Sequence, residues 1–117
     1  MSLNIASPSE QVKSIGFAHT AATTARVPVL INGKLMIPVN TRAANEHNAF
    51  VYETEVDGAP VETGAAWLPN DALYWDAANA RLTKTANGNT LFGHALQPKA
   101  AAAAVSPLVA FTSYPVA

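Results

Sequence analysis

At 117 residues and 12.2 kDa the chain has the size of one domain, so two lobes closing on a cleft between them are not expected. It has no cysteine, which removes disulfide staples, thiol nucleophiles, zinc knuckles and redox pairs. A formal charge of -1 and a pI near 6.2 give no field to hold a polyanion, so nucleic acid is not an expected partner. Charged residues make up 13% of the chain and hydrophobic ones 50%, against about 25% charged in ordinary soluble domains, which implies that something other than water covers part of the surface. Alanine supplies 24 of the apolar residues, leaving the packing to branched and aromatic side chains. No stretch has the run of apolar residues that a membrane span requires, and Met1 to Ser14 lacks the basic start and apolar block of a signal peptide. The expectation is a protein that stays in the cytoplasm where it is made, with no membrane partner.

Residues 1–25 are rich in Ser, Thr and Ala, with Leu3, Ile5, Val12, Ile15 and Phe17 scattered without a sustained period, and read as an arm. Burying five such side chains yields about 1.5–3 kcal/mol each, while fixing the backbone costs about 1–2 kcal/mol per residue. Apolar contact alone cannot order the arm; it needs backbone pairing with a neighbour, for instance on another subunit's sheet edge.

The body, residues 26–117, opens with a hairpin. Val27 to Ile31 and Lys34 to Val39 flank Asn32-Gly33, a pair that accepts the positive φ angles of a type I′ turn. Pro28 and Pro38 cannot donate ladder hydrogen bonds and point to an edge or a bulge. Thr41 to Asn48 reads as polar loop. Phe50, Tyr52, Thr54 and Val56 then alternate with Val51, Glu53 and Glu55 as a strand with one wet face. Asp57-Gly58 predicts a turn into a returning strand over Ala59 to Thr63. Asp71 to Trp75, the turn Asp76 to Asn79, and Arg81 to Thr85 form the next hairpin. Asn87-Gly88-Asn89 turns the chain into Thr90 to Leu96. Lys99 to Ala104 is too short to stand as a helix and reads as a connector. Val105 to Val116 is a last strand interrupted by Pro107 and Pro115. The sum is an all-β fold, a small antiparallel β-barrel or sandwich with an extended N-terminal arm.

The chemistry such a chain could carry is thin. Gly88 and Gly93 have the spacing of a phosphate loop, but His94 and Ala95 stand where Lys and a hydroxyl residue are required. His19, His47 and His94 are far apart, with no ligand spacing. Glu53 and Glu55 share one strand face as paired catalytic carboxylates do, yet that face is the solvated one. No serine sits in a nucleophile elbow. No enzyme, cofactor or metal site is expected. What stands out is aromatic: Trp67, and Tyr74-Trp75 on one strand, where neighbours face opposite sides. Core packing accounts for at least two of the three, and a subunit contact is the sharper use of Trp and Tyr.

The run Asn70-Asp71-Ala72-Leu73-Tyr74-Trp75-Asp76-Ala77-Ala78-Asn79-Ala80-Arg81-Leu82-Thr83, followed by Gly88-Asn89-Thr90-Leu91-Phe92-Gly93-His94-Ala95, resembles small tailed-bacteriophage capsid decoration, or cement, proteins. Their pattern is a G-D-x-V-Y-W-D strand and turn ahead of an N-x-x-I-G-x-A strand; members often carry the label of RecA/RadA-type recombinase, which a chain this short without a phosphate loop does not support. Asn70 departs from the pattern's glycine, and Thr41 to Asn48 is extra loop. The resemblance implies a small β-barrel, usually a homotrimer, on the exterior of the capsid. Its expected partners are the major capsid protein and its own copies, reached from the host cytoplasm during assembly. It brings no catalytic residues. Leu3, Ile5, Val12, Ile15, Phe17, Trp67, Tyr74 and Trp75 are the expected capsid or subunit contacts. The alternative is an exposed head-fibre or adhesion module that binds a host surface or glycan through Trp67 or Trp75.

Overall fold

The computed structural model describes residues 3–6 and 12–112. These form nine strands and no α-helix: β1 (Asn4–Ile5), β2 (Lys13–Ala18), β3 (Val29–Ile31), β4 (Lys34–Pro38), β5 (His47–Asp57), β6 (Ala72–Asp76), β7 (Arg81–Thr83), β8 (Thr90–Ala95) and β9 (Val109–Thr112). They make one curled antiparallel sheet, a half-barrel, in the order β3-β4-β5-β9-β8-β6-β7, with β1 and β2 also paired to β5. The all-β expectation holds.

The predicted hairpins form where the turn chemistry is local. Asn32 (φ 50°) and Gly33 (φ 79°) make the tight turn between β3 and β4. In the turn from β6 to β7, Asp76 Oδ2 accepts from Asn79 Nδ2 at 2.8 Å, and Ala80 is held at φ 52°. An L-residue there costs about 1–2 kcal/mol. Ala80→Gly is therefore expected to raise stability by about 0.5–1 kcal/mol in a urea titration.

β7 ends at Thr83 rather than Thr85 because the Thr83 hydroxyl and the Lys84 N–H both donate to Glu62 Oε1, at 2.8 and 3.3 Å, and turn the chain away from β6. The last strand starts only at Val109, past Pro107, and its predicted extension to Val116 lies outside the described residues.

Two predictions fail for long-range reasons. β5 starts at His47, so it takes the end of the expected polar loop, because Ala18 and Phe17 of β2 pair with His47 and Asn48. Its alternation also breaks. Lys13 and Ser14 are adjacent but oppose Glu53 and Val51, so Tyr52 sits at a bulge and the inward face switches there. Val51 before the bulge and Val56 after it enter the same core, while Phe50 points to the opposite side. There Phe17 stacks on it at 4.4 Å between ring centroids, with His19 edge-on at 6.2 Å.

The returning strand over Ala59 to Thr63 does not form. Gly58 leads the chain across to the far end of the sheet: Leu82 N–H donates to Pro60 O at 2.8 Å, and Val61 N–H donates to Ala104 O at 3.1 Å. Pro60 has no N–H for a hairpin ladder, and Ser106 takes the place of a β5 partner by accepting the Ala59 N–H on its Oγ at 3.1 Å. Residues 59–67 and 99–106 run as an irregular antiparallel ribbon, bridged at Pro60 with Val105 and at Trp67 with Lys99, which covers the open side of the half-barrel. Inside lie Leu35, Ile37, Leu73, Trp75, Leu82, Val109 and the pair Phe92–Phe111, whose ring centroids are 4.7 Å apart.

Candidate docking surface

The core claims three of the eight expected contact residues. Leu3 is 1% exposed, Trp67 2%, and Trp75 is buried against Phe92 at 6.2 Å. Tyr74 and Trp75 divide as adjacent strand residues must, with Trp75 inside and Tyr74 half-buried on the outer face. Ile5 and Val12 are partly buried and pack against the core cluster. Phe17 is half-buried on Phe50, and Ile15 is 37% exposed. Five of the eight therefore come from an arm laid on one margin of the sheet, and Tyr74 stands apart on the outer face.

The neighbour that the arm requires is the chain's own β5. β1 pairs Asn4 with Asp57 and Ile5 with Val56, and β2 pairs along His47 to Glu53. Leu3 N–H donates to Arg26 O at 3.1 Å and Ala6 N–H to Glu55 O at 2.7 Å. β2 is otherwise an exposed strand, with only Phe17 half-buried in it.

The ribbon holds a residue that the sequence reading passed over. Lys99 is 4% exposed, and its Nζ donates to Ala65 O at 2.6 Å and Ala100 O at 3.0 Å while standing 5.3 Å from the centroid of the Trp67 ring. Two carbonyls and an indole face replace its water, so the ammonium acts as an internal cross-brace of the ribbon. A lysine among alanines carries no sequence signal of this; only the Trp67–Lys99 register reveals it. The Trp67 Nε1–H has no acceptor among the described residues.

Three ion pairs lie on the surface of the described residues. Lys13 pairs with Glu53 at 3.4 Å on the arm side. At the other border Lys84 pairs with Asp71 at 3.3 Å and Arg81 with Asp76 at 3.7 Å. The Leu68 N–H, helped by Lys84, holds the Asp71 carboxyl below its ordinary range, and Asn79 does the same for Asp76. Among the described residues no three His, Asp or Glu side chains come together as metal ligands, and no helix is long and apolar enough to cross a membrane.

Residues 7–111 match the family model for phage cement protein. The chain belongs to the phage cement protein family. No curated protein and no solved structure matches it. The family is a structural one, which places the cement protein in the virion capsid and gives it capsid proteins as partners. The run that carries the resemblance, Asn70 to Thr83 and Gly88 to Ala95, contains β6, β7 and β8, and the cement protein uses its Trp75 and Phe92 there as core.

Proposed function

We propose that this cement protein attaches to the outside of a phage head and ties neighbouring major capsid subunits together, as a homotrimer that folds in the host cytoplasm. The match of residues 7–111 to the cement model carries the reading. The division into an arm over residues 1–25 and a body over 26–117 belongs to it: β1 and β2 lie on the sheet margin, where Ile15 and Phe17 remain available to a neighbour, and Tyr74 is available on the body. Leu3, Trp67 and Trp75 serve the fold instead. Modest contacts suffice, because copies joined in a trimer engage the shell together and raise one another's effective concentration. The sparse charge suits a protein whose neighbours are shell proteins and not DNA. The adhesion alternative has no support from the two indoles assigned to it, since both are inside.

The test is sedimentation of the purified protein with expanded heads that lack it, with host cells and with DNA at physiological salt. Saturable pelleting with the heads alone is expected. Protein that stays in the supernatant with heads, or pellets equally with cells, overturns the reading.

A further inference from the structure

We infer that Asn87 is a site of spontaneous deamidation in the folded protein, which converts it to aspartate and isoaspartate, while the same dipeptide at Asn32-Gly33 is held back by its hairpin. The chemistry belongs to the chain itself and needs no partner. Only Asn32 and Asn87 precede glycine in the sequence. A following glycine matters because a Cβ there crowds the five-membered ring through which the reaction runs. Both glycines are open, since a Cβ built at Gly33 or at Gly88 meets nothing within 4 Å.

The Gly88 amide nitrogen, losing its proton, attacks Asn87 Cγ. The new N–Cγ bond closes a succinimide, the Cγ–Nδ2 bond breaks, and Nδ2 leaves as ammonia with that proton. Water then opens the imide. Cleavage at Cγ restores the ordinary main chain and leaves aspartate; cleavage at the α-carbonyl carbon routes the main chain through Cγ and leaves isoaspartate. Either product carries one new carboxylate, whose proton goes to solvent. Isoaspartate also adds a methylene to the main chain just ahead of β8, where Thr90 pairs with Trp75.

The fold separates the two asparagines by what must open. Asn32 (φ 50°) and Gly33 (φ 79°) form a type I′ turn, whereas Gly88 (φ 80°) follows Asn87 in a turn closed by the Asn89 N–H on Ala86 O at 3.1 Å, a type II arrangement. Ring closure swings the glycine nitrogen back against Cγ, which neither turn permits at rest. At Asn32 that swing pulls directly on the β3–β4 ladder, where Ile31 pairs with Lys34 and the next residue, Leu35, is buried in the core. At Asn87 it disturbs only a loop. Lys84 to Gly88 are exposed, β7 has ended at Thr83, and the bonds to be broken are the turn's own and that from Asn89 Nδ2 to Thr85 O at 2.9 Å. Segments with few buried contacts open most readily. Among the described residues no carbonyl accepts from the Gly88 N–H, so the nucleophile is unengaged; at Asp57-Gly58, by contrast, the Gly58 N–H donates to Ser106 O at 3.0 Å.

The purified full chain is incubated at physiological temperature and mildly alkaline pH, then followed by anion exchange, tryptic mapping and methyl transfer by an isoaspartate methyltransferase. Trypsin places Asn32 in residues 27–34 and Asn87 in residues 85–99. The second peptide is expected to convert about tenfold or more faster than the first, in line with its easier opening. Asn87→Gln, an exposed substitution, is expected to abolish the early acidic species. In urea, where neither turn persists, the two peptides should convert at similar rates. Equal rates in the folded protein, no conversion of residues 85–99, an early acidic species that survives Asn87→Gln, or a rate difference that persists in urea would each overturn the inference.

Discussion

Gly93→Ala is expected to lower the stability of the domain by about 3 kcal/mol or more, a large part of the 5–15 kcal/mol that a small protein has in total. The cause is local and rigid. Leu73 pairs with Gly93 and the next residue, Tyr74, with Leu91, so Phe92 is the extra residue of a bulge in β8. The bulge lets Phe92 reach the aromatic cluster with Phe111, and it presses the Gly93 backbone onto β9. A Cβ there collides with the carbonyl oxygen of Ala110, with the Ala110 carbonyl carbon at 2.9 Å and Phe111 Cα at 3.3 Å. All three obstacles are backbone atoms, so no rotamer change relieves the overlap. β8 and β9 must separate, which strains the pairs Gly93 with Phe111 and His94 with Ala110 in the middle of the sheet. A urea titration of Gly93→Ala measures the loss; a change below about 1 kcal/mol would mean that the bulge relaxes freely and that this close approach is not a constraint.

Bulges mark the line between what the sequence reveals and what it conceals. Asn32-Gly33, Asp76 with Asn79, and Asn87 to Asn89 announce their turns because each acts through its own backbone within a few residues. The all-β class follows from those turns and the β-branched runs between them. Register across distant strands has no such local signal. Alternation in β5 suggested a single inward face over Phe50 to Val56, yet the bulge at Tyr52 inverts it, and only the pairing with Lys13 and Ser14, more than 35 residues earlier in the chain, shows why. Asp57-Gly58 looks like another hairpin turn, and the chain after it leaves to pair with Leu82 and Ala104 instead. The aromatic contact candidates were legible as important and ambiguous as to side. Trp67 is drawn inward by Lys99, a partner 32 residues away that reads in sequence as an ordinary surface lysine.

Leu3→Ala is expected to destabilise the free protein by about 2–5 kcal/mol, whereas Ile15→Ala on the same arm costs about 0.5 kcal/mol or less, as exposed positions do. Leu3 is 1% exposed within the main core cluster, and β1 fixes it there through pairing with Asp57 and Val56. Ile15 is on an exposed strand. Comparing the two variants by thermal unfolding tests whether the arm is part of the folded unit before any shell is met: equal, small effects would mean that it is not. The consequence for cementing is energetic. Ordering a free arm costs about 1–2 kcal/mol per residue, and an arm ordered only on docking would subtract that sum from its affinity for the head. An arm already laid along β5 meets the cost during folding, so the contacts made at the shell are spent on attachment. On this account Leu3→Ala weakens head binding as well, by loosening an arm that the wild type presents ready-formed, and a sedimentation titration at a temperature where the variant remains folded should show it.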